Sequence, residues 1–201
     1  MKRQPIRKAS VHRVTGETDI KVELTIEGTG KSSIHTGLPF LDHMMTLFSK
    51  HGLFDLRISA KGDLDVDIHH TNEDVGITLG QAFHKALGNK HGIRRYGHFA
   101  VPMDEVLAKV TLDISGRPSL SLHKAKGVKF SRLENYSYHD ATELLRAFCL
   151  HAGINMHIEL EAGLDSHHII EGVFKAASKA MDMATQIDPR VQGIPSTKGR
   201  L

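Results

Sequence analysis

Alternating apolar and polar residues predict one strand early in the chain and a matching strand in its second half. From Ile20 to Ile26 every second residue is apolar, and the segment ends at Gly28. This period of two is typical of a half-buried strand. The same alternation runs from Val106 to Ile114 and ends at Gly116, 88 positions after Gly28. The recurrence indicates two copies of one unit.

A helix with the same apolar pattern is predicted in each copy. Residues 41–48 and residues 141–148 both place apolar side chains at the spacing of one helical face. His43 and Glu143 occupy equivalent positions in the two helices. A histidine and a glutamate at the same place are both potential metal ligands, so the exchange keeps that chemistry in both copies.

Each half continues with an alternating segment and a longer helix. The alternating segments begin at Phe54 and Ile154, and the long helices are predicted over Thr71–Leu87 and His168–Ala184. Two copies are too few for a solenoid, which needs about three units, so duplication is the better interpretation. We therefore expect an α+β fold of two half-domains, each a β-sheet backed by helices, related by a pseudo-two-fold axis.

The repeat also predicts the domain limits. We expect residues 1–93 to form the first α+β repeat and residues 94–187 to form the second. Residues 188–201 contain two prolines and have no helical counterpart in the first half, so they are predicted to form a tail.

Composition and charge narrow the classes of function. The 201 residues include 26 Lys and Arg against 23 Asp and Glu, a small excess that favours an anionic small molecule over nucleic acid. Cys149 is the only cysteine, which excludes an intramolecular disulfide and a thiolate metal cluster. Met1–Pro5 lead into a strand-like segment without the apolar core of a signal peptide, and no run is long enough to span a bilayer. We expect a cytoplasmic protein that is not bound to a membrane.

A histidine-rich motif, HHxxE, occurs twice, 98 positions apart. On a helix each glutamate lies beside its preceding histidines, whereas adjacent histidines point about 100° apart and suit two neighbouring ions better than one. Together with His43 and Glu143, a mixed set of nitrogen and oxygen ligands suits six-coordinate Mn²⁺, with Fe²⁺, Co²⁺ and Zn²⁺ as alternatives. The eight predicted ligands are His43, His69, His70, Glu73, Glu143, His167, His168 and Glu171.

Other charged residues are weaker candidates on position alone. Glu17, Asp104 and Glu105 lie just before the two equivalent strands, where a carboxylate could act as an acid or a base. Lys175 is four residues after Glu171, on the same helical face, and could bind the anionic end of a ligand.

Seven segments along most of the chain carry a resemblance to a known family. They are Gly37–Met44, Ile68–Asp74, Pro102–Glu105, Asp113–Pro118, Ser166–Glu171, Phe174–Ala176 and Pro195–Gly199. In these segments the chain resembles the imidazoleglycerol-phosphate dehydratases of histidine biosynthesis. The resemblance implies a ribosomal protein S5 domain 2-like duplicated fold, two Mn²⁺ per active site, and a homo-oligomeric shell of twenty-four subunits with active sites between neighbours.

The resemblance also implies a reaction and its residues. D-erythro-imidazole glycerol phosphate would lose water to give imidazole acetol phosphate, through a metal-bound imidazolate and carboxylate acid/base catalysis. The family's metal ligands fall on the eight residues predicted above, and Glu17 matches an active-site glutamate that contacts the substrate, with Asp104 and Glu171 as rival catalytic carboxylates. The phosphate-binding residues fall on Arg95, Arg117, Lys175, Ser196 and Lys198.

Two departures and two alternative functions accompany the resemblance. Position 143 is Glu where some members carry His, and Ile68 stands where members commonly have a second Asp, a contact that Asp67 could supply instead. A dinuclear metallohydrolase acting on a phosphate ester uses similar ligands. A metal-storage shell protein is the other alternative, although it would have no use for phosphate-binding cations.

Overall fold

The computed structural model describes residues 6–201, so Met1–Pro5 and the predictions made for them lie outside the described part. The first half contains strands β1 (Lys8–Val14), β2 (Thr18–Thr25), β3 (Ser32–His35) and β4 (Asp55–Gly62), and helices α1 (Pro39–Gly52) and α2 (His69–Leu87). The second half contains strands β5 (Tyr96–Met103), β6 (Val106–Asp113), β7 (Ser119–Lys124) and β8 (Asn155–Ala162), and helices α3 (Tyr138–Ala152) and α4 (Ser166–Thr185).

The two sheets have the same topology. Their strand orders are β1-β2-β4-β3 and β5-β6-β8-β7, and in each sheet only the last pair is parallel. The predicted alternation places Val22 opposite Ile58 in the first sheet and Val110 opposite Ile158 in the second, and all four side chains are buried. The predicted α+β fold of two duplicated half-domains is confirmed.

The helices pack across the boundary between the halves. Helix α2 of the first half packs against α3 of the second, and α1 packs against α4. Four phenylalanines join both halves in one aromatic cluster, with ring centroids of neighbours 5.0–6.1 Å apart: Phe48, Phe54, Phe83 and Phe148. The halves therefore share one apolar core, and residues of one half lie beside residues of the other.

The long helices begin two residues earlier than the sequence predicted. The Asp67 carboxylate accepts a hydrogen bond from the His69 backbone N–H at 2.6 Å. The equivalent Asp165 accepts from the backbone N–H groups of His167 and His168 at 2.8 and 3.2 Å. These contacts satisfy N–H groups that have no partner within the helix, so both histidine pairs lie in a first helical turn.

Three strands, β3, β5 and β7, were not predicted from the sequence. All three lie at sheet edges and most of their side chains are exposed or half-buried, so they lack a regular buried face. Among the described helices, none is both long and apolar enough to cross a bilayer.

Candidate metal centre and anion-binding cavity

Two helices from different halves bring together one cluster of potential metal ligands. His43 on α1 and His167 on α4 each place Nε2 3.3 Å from Oε2 of Glu171, and the three ligand atoms lie within 4.8 Å of one another. The ring of Phe40 packs edge-on against the His167 imidazole, with centroids 5.2 Å apart. Two imidazoles and a carboxylate converging in this way fit a borderline divalent cation.

The carboxylate of Glu171 is the electrostatic centre of this cluster. Its side chain is only 10% exposed, and Lys175 Nζ lies 2.6 Å from the second oxygen, Oε1. Burial favours the protonated form, yet the pKa of Glu171 is lowered because the hydrogen bond and charge of Lys175 and the contact with His43 outweigh it. Glu171 is therefore ionised and available as a ligand.

The equivalent residues of the other half are less tightly grouped. His69 Nε2 lies 3.4 Å from Oε2 of Glu73, one turn along α2. Glu143 on α3, the helix that packs against α2, pairs with Arg146 at 3.2 Å. Within residues 6–201, the one group of three ligands close enough to share an ion is that of His43, His167 and Glu171.

The second histidine of each pair contacts carboxylates outside these clusters. His70 Nδ1 lies 3.0 Å from Asp63 Oδ2, and its Nε2 lies 3.9 Å from Glu17 Oε1. The hydrogen bond to the Asp63 carboxylate is the largest cause of the raised pKa of His70, and the charge of Glu17 adds to it. The rings of His69 and His70 are inclined by 70°, so the two imidazoles face different surroundings.

His168 has a similar environment. Its Nδ1 lies 2.9 Å from Glu105 Oε2, and its Nε2 lies 3.7 Å from Asp104 Oδ2. The hydrogen bond with Glu105 raises the pKa of His168 and lowers that of Glu105 to about 2. The rings of His167 and His168 are inclined by 81°, which repeats the divergence seen in the first half.

A separate cavity of about 410 Å³ collects four of the five predicted phosphate-binding residues. Arg95, Arg117, Ser196 and Lys198 line it, together with Arg200. Arg95 donates two hydrogen bonds to the Asp113 carboxylate, at 2.7 and 3.0 Å, and a third to the Pro195 carbonyl at 2.8 Å. These bonds fix the tail against the end of β6. The fifth predicted residue, Lys175, is not in the cavity lining and pairs with Glu171 instead.

A family model described as imidazoleglycerol-phosphate dehydratase matches residues 36–181. The chain belongs to the imidazoleglycerol-phosphate dehydratase family. The imidazoleglycerol-phosphate dehydratase of Thermoanaerobacter pseudethanolicus is 56% identical over 196 residues, covering 98% of this chain and 100% of the relative. That of Caldanaerobacter subterraneus is 55% identical with the same coverage.

Solved structures of the imidazoleglycerol-phosphate dehydratase family have the same fold. The Staphylococcus aureus enzyme superposes with a TM-score of 0.79 at 36% identity, covering 90% of this chain and 99% of that chain. The Pyrococcus furiosus enzyme gives 0.81 at 36% identity, covering 95% and 100%. The prediction of a hydro-lyase of histidine biosynthesis is confirmed at the level of the family.

The structure adds contacts that sequence reasoning missed. Asp63, rather than Asp67, contacts an imidazole, whereas Asp67 accepts a hydrogen bond from the His69 backbone N–H at the start of α2. Arg146 holds Glu143, and Arg200 adds a cation to the cavity of the dehydratase fold. The sequence did contain one signal for Asp63, because alternate positions 63, 65 and 67 are all aspartate, but spacing alone does not select one of them.

Proposed function

We propose that this chain removes water from imidazole glycerol phosphate to give imidazole acetol phosphate, using two Mn²⁺ per active site. The observation that carries the proposal is the cluster of His43, His167 and Glu171 in a chain of the dehydratase family. Each imidazole Nε2 lies 3.3 Å from the same carboxylate oxygen, a separation that suits neighbouring ligands of one divalent ion. Imidazole nitrogen and carboxylate oxygen are also ordinary ligands of such an ion. Fe²⁺, Co²⁺ and Zn²⁺ are alternative ions for the same donors.

We further propose that all eight predicted ligands bind metal. The other half supplies His69, Glu73 and Glu143 at the equivalent repeat positions, and the remaining imidazoles are His70 and His168. When bound, the metal lowers the pKa of the substrate imidazole N–H and so favours loss of the neighbouring hydroxyl. Glu143 in place of histidine gives the two centres different charge.

Glu17 is our proposed acid/base residue, and Asp104 and Glu171 are its rivals. Glu17 and Asp104 lie 3.9 and 3.7 Å from the Nε2 atoms of His70 and His168, and their side chains are 56% and 70% exposed. A substrate can reach both carboxylates, as proton transfer requires. Glu171 is the weakest rival, since its buried carboxylate already contacts Lys175 and two imidazoles.

We propose that the substrate phosphate binds in the cavity lined by Arg95, Arg117, Ser196 and Lys198. Arginine and lysine donors with a serine hydroxyl are well suited to phosphate oxygens. Lys175 would contact the substrate only after a metal has bound the Glu171 carboxylate. Without metal, that carboxylate pairs with the ammonium group of Lys175. The exposed edge strand β5, with Tyr96 and Phe99 exposed, supports the proposed association of copies into a twenty-four-subunit shell.

Product analysis tests the proposed function. Metal-loaded protein incubated with imidazole glycerol phosphate is expected to form a ketone without releasing inorganic phosphate. Phosphate release without a ketone would instead indicate a metallohydrolase, and neither product would indicate storage. Glu17→Gln is expected to retain two Mn²⁺ and lose most turnover, and near-normal turnover in that variant would exclude Glu17 as the base.

A further inference from the structure

The second histidine of each HHxxE motif lies between two carboxylates. In the first half the order is Asp63, His70 and Glu17, with 3.0 Å at Nδ1 and 3.9 Å at Nε2. In the second half the order is Glu105, His168 and Asp104, with 2.9 Å at Nδ1 and 3.7 Å at Nε2 (the distances run from each imidazole nitrogen to the nearer carboxylate oxygen). Both imidazoles therefore use Nδ1 for a close carboxylate and leave Nε2 for a looser contact.

The repeat does not account for this similarity. Position 63 follows the last residue of β4, and the residue that follows β8 is Gly163, which has no carboxylate. Glu17 and Glu105 are equivalent by position before β2 and β6, yet Glu17 faces Nε2 while Glu105 contacts Nδ1. The two halves reach one arrangement with carboxylates from different places, which indicates that the arrangement itself is required.

The contact with His70 is the one hydrogen bond of the Asp63 side chain within the described residues. Its Oδ2 bonds His70, and its Oδ1 is buried with no hydrogen-bond partner in the part of the chain that the structure describes. A buried carboxylate oxygen without a partner destabilises a fold, so the residue is better explained by function than by stability. Glu105 differs, because its Oε1 also accepts bonds from the backbone N–H groups of Leu164 and Asp165.

We propose that Asp63 and Glu105 are positioning residues that hold the protons of His70 and His168 on Nδ1 and turn Nε2 of each ring toward a metal. An ionised carboxylate only accepts hydrogen bonds, so the bonded Nδ1 carries the proton and Nε2 keeps its lone pair. The inference rests on the proposed metal-dependent function. It also divides the adjacent acidic residues between two roles, with Glu105 orienting an imidazole and Asp104 facing the substrate side.

Asp63→Ala is the cleanest test, with Asp65→Ala as its matched control. Asp65 is an exposed aspartate in the same loop, so its variant makes the same truncation without a contact to an imidazole. Mn²⁺ binding to the full-length protein is measured by electron paramagnetic resonance of the free ion. Asp63→Ala is expected to weaken the binding of one of the two Mn²⁺ ions by about 10–100-fold. Loss of a carboxylate that accepts a hydrogen bond from a metal-binding histidine typically has this effect. Asp65→Ala is expected to bind both ions like the wild type.

Two further measurements separate positioning from catalysis and from folding. With saturating Mn²⁺, Asp63→Ala is expected to recover most of the wild-type kcat, which a catalytic base would not allow. In the metal-free Asp63→Ala variant, the imidazole ¹⁵N chemical shifts of His70 are expected to move from the values of the Nδ1–H tautomer, expected in the wild type, toward those of the Nε2–H tautomer. If Asp63→Ala does not fold, Asp63→Asn serves instead, because it keeps the side-chain volume and one acceptor oxygen. It is expected to weaken the binding of the same Mn²⁺ ion by an amount near the lower end of the range of about 10–100-fold.

The failures of the two proposals are distinguishable. Wild-type affinity for both ions in Asp63→Ala and in Asp63→Asn would overturn the positioning role and leave the dehydratase proposal intact. A wild-type protein that binds no divalent metal would instead overturn the metal-dependent function on which the inference rests.

Discussion

Removing the ammonium group of Lys175 should destabilise the metal-free protein far more than the metal-loaded protein. Lys175 Nζ lies 2.6 Å from Glu171 Oε1, and the two side chains are 18% and 10% exposed. Lys175→Met keeps the apolar stem of the side chain and leaves the Glu171 carboxylate buried without its cation. A bound divalent ion would replace that cation, so the loss should then be small.

The expected magnitude follows from the burial of the pair. At an effective dielectric constant of about 20, opposite charges at this distance attract by about 6 kcal/mol before desolvation is subtracted. Truncating one partner of a buried pair costs about 3–5 kcal/mol, and the residual exposure of both side chains favours the lower limit, about 3 kcal/mol. For a chain of this size that loss lowers Tm by about 6–12 °C.

Differential scanning calorimetry of both variants with and without Mn²⁺ provides the assay. Lys179→Met is the control, because Lys179 is half-buried one turn further along α4 and no carboxylate within residues 6–201 forms an ion pair with it. That variant should change stability by less than about 0.5 kcal/mol. An equal loss of Tm in Lys175→Met with and without Mn²⁺ would refute the reasoning, since it would mean that the metal and Lys175 do not compete for Glu171.

Three further changes have expected outcomes in the metal-free protein. In urea titrations, Glu105→Gln should lose most stability relative to the wild type between about pH 4.5 and 6.5. The pKa of Glu105 is lowered, so its carboxylate contributes its full stabilisation above pH 4.5. The pKa of His168 is raised, so its imidazole contributes its full stabilisation below pH 6.5. Tyr136→Phe should cost about 1–3 kcal/mol in urea unfolding, since the buried Asn72 side-chain oxygen Oδ1 loses the 2.7 Å hydrogen bond that the Tyr136 hydroxyl donates. Gly97→Ala should cost about 1–3 kcal/mol by calorimetry, because its Cβ would clash with the backbone oxygen of Ala180 in α4.

Matched variants control these three predictions. Glu134→Gln changes an exposed glutamate and should give a stability difference that does not vary over the same pH range. Tyr138→Phe removes a hydroxyl that forms no hydrogen bond within the described residues, so it should cost less than Tyr136→Phe. Gly127→Ala adds a Cβ with no atom within 4 Å and should be nearly neutral. Equal effects in a variant and its control would contradict the corresponding prediction.

The duplicated fold could be predicted from the sequence because buried strands leave a periodic pattern. Val22 and Val110 each lie in a strand that is buried on one face, and both alternations are strong. Strand β5 could not be predicted because it lies at a sheet edge and five of its eight residues, including Tyr96 and Phe99, are exposed. An edge strand is defined by the neighbour it pairs with, which no local pattern records.

The candidate site was predictable in its residue types and less so in its contacts. The repeat alone pairs His43 with Glu143, since both copies keep the same helical position. It does not say that Glu171 would lie beside His43, because that contact depends on α1 packing against α4. The partner of Lys175 was unpredictable for a similar reason, since helical spacing allows the contact with Glu171 but does not exclude a role at the phosphate cavity.

The packing of helices across the two halves has a consequence for the origin of the chain. The cluster of His43, His167 and Glu171 takes its first ligand from one half and the others from the opposite half. A single half could therefore have assembled such a cluster only by pairing with an identical copy, and equivalent positions of the two copies would then have carried the same residues. Two halves within one chain are free of that constraint, and histidine at position 43 with glutamate at position 143 is a difference that two identical copies could not have.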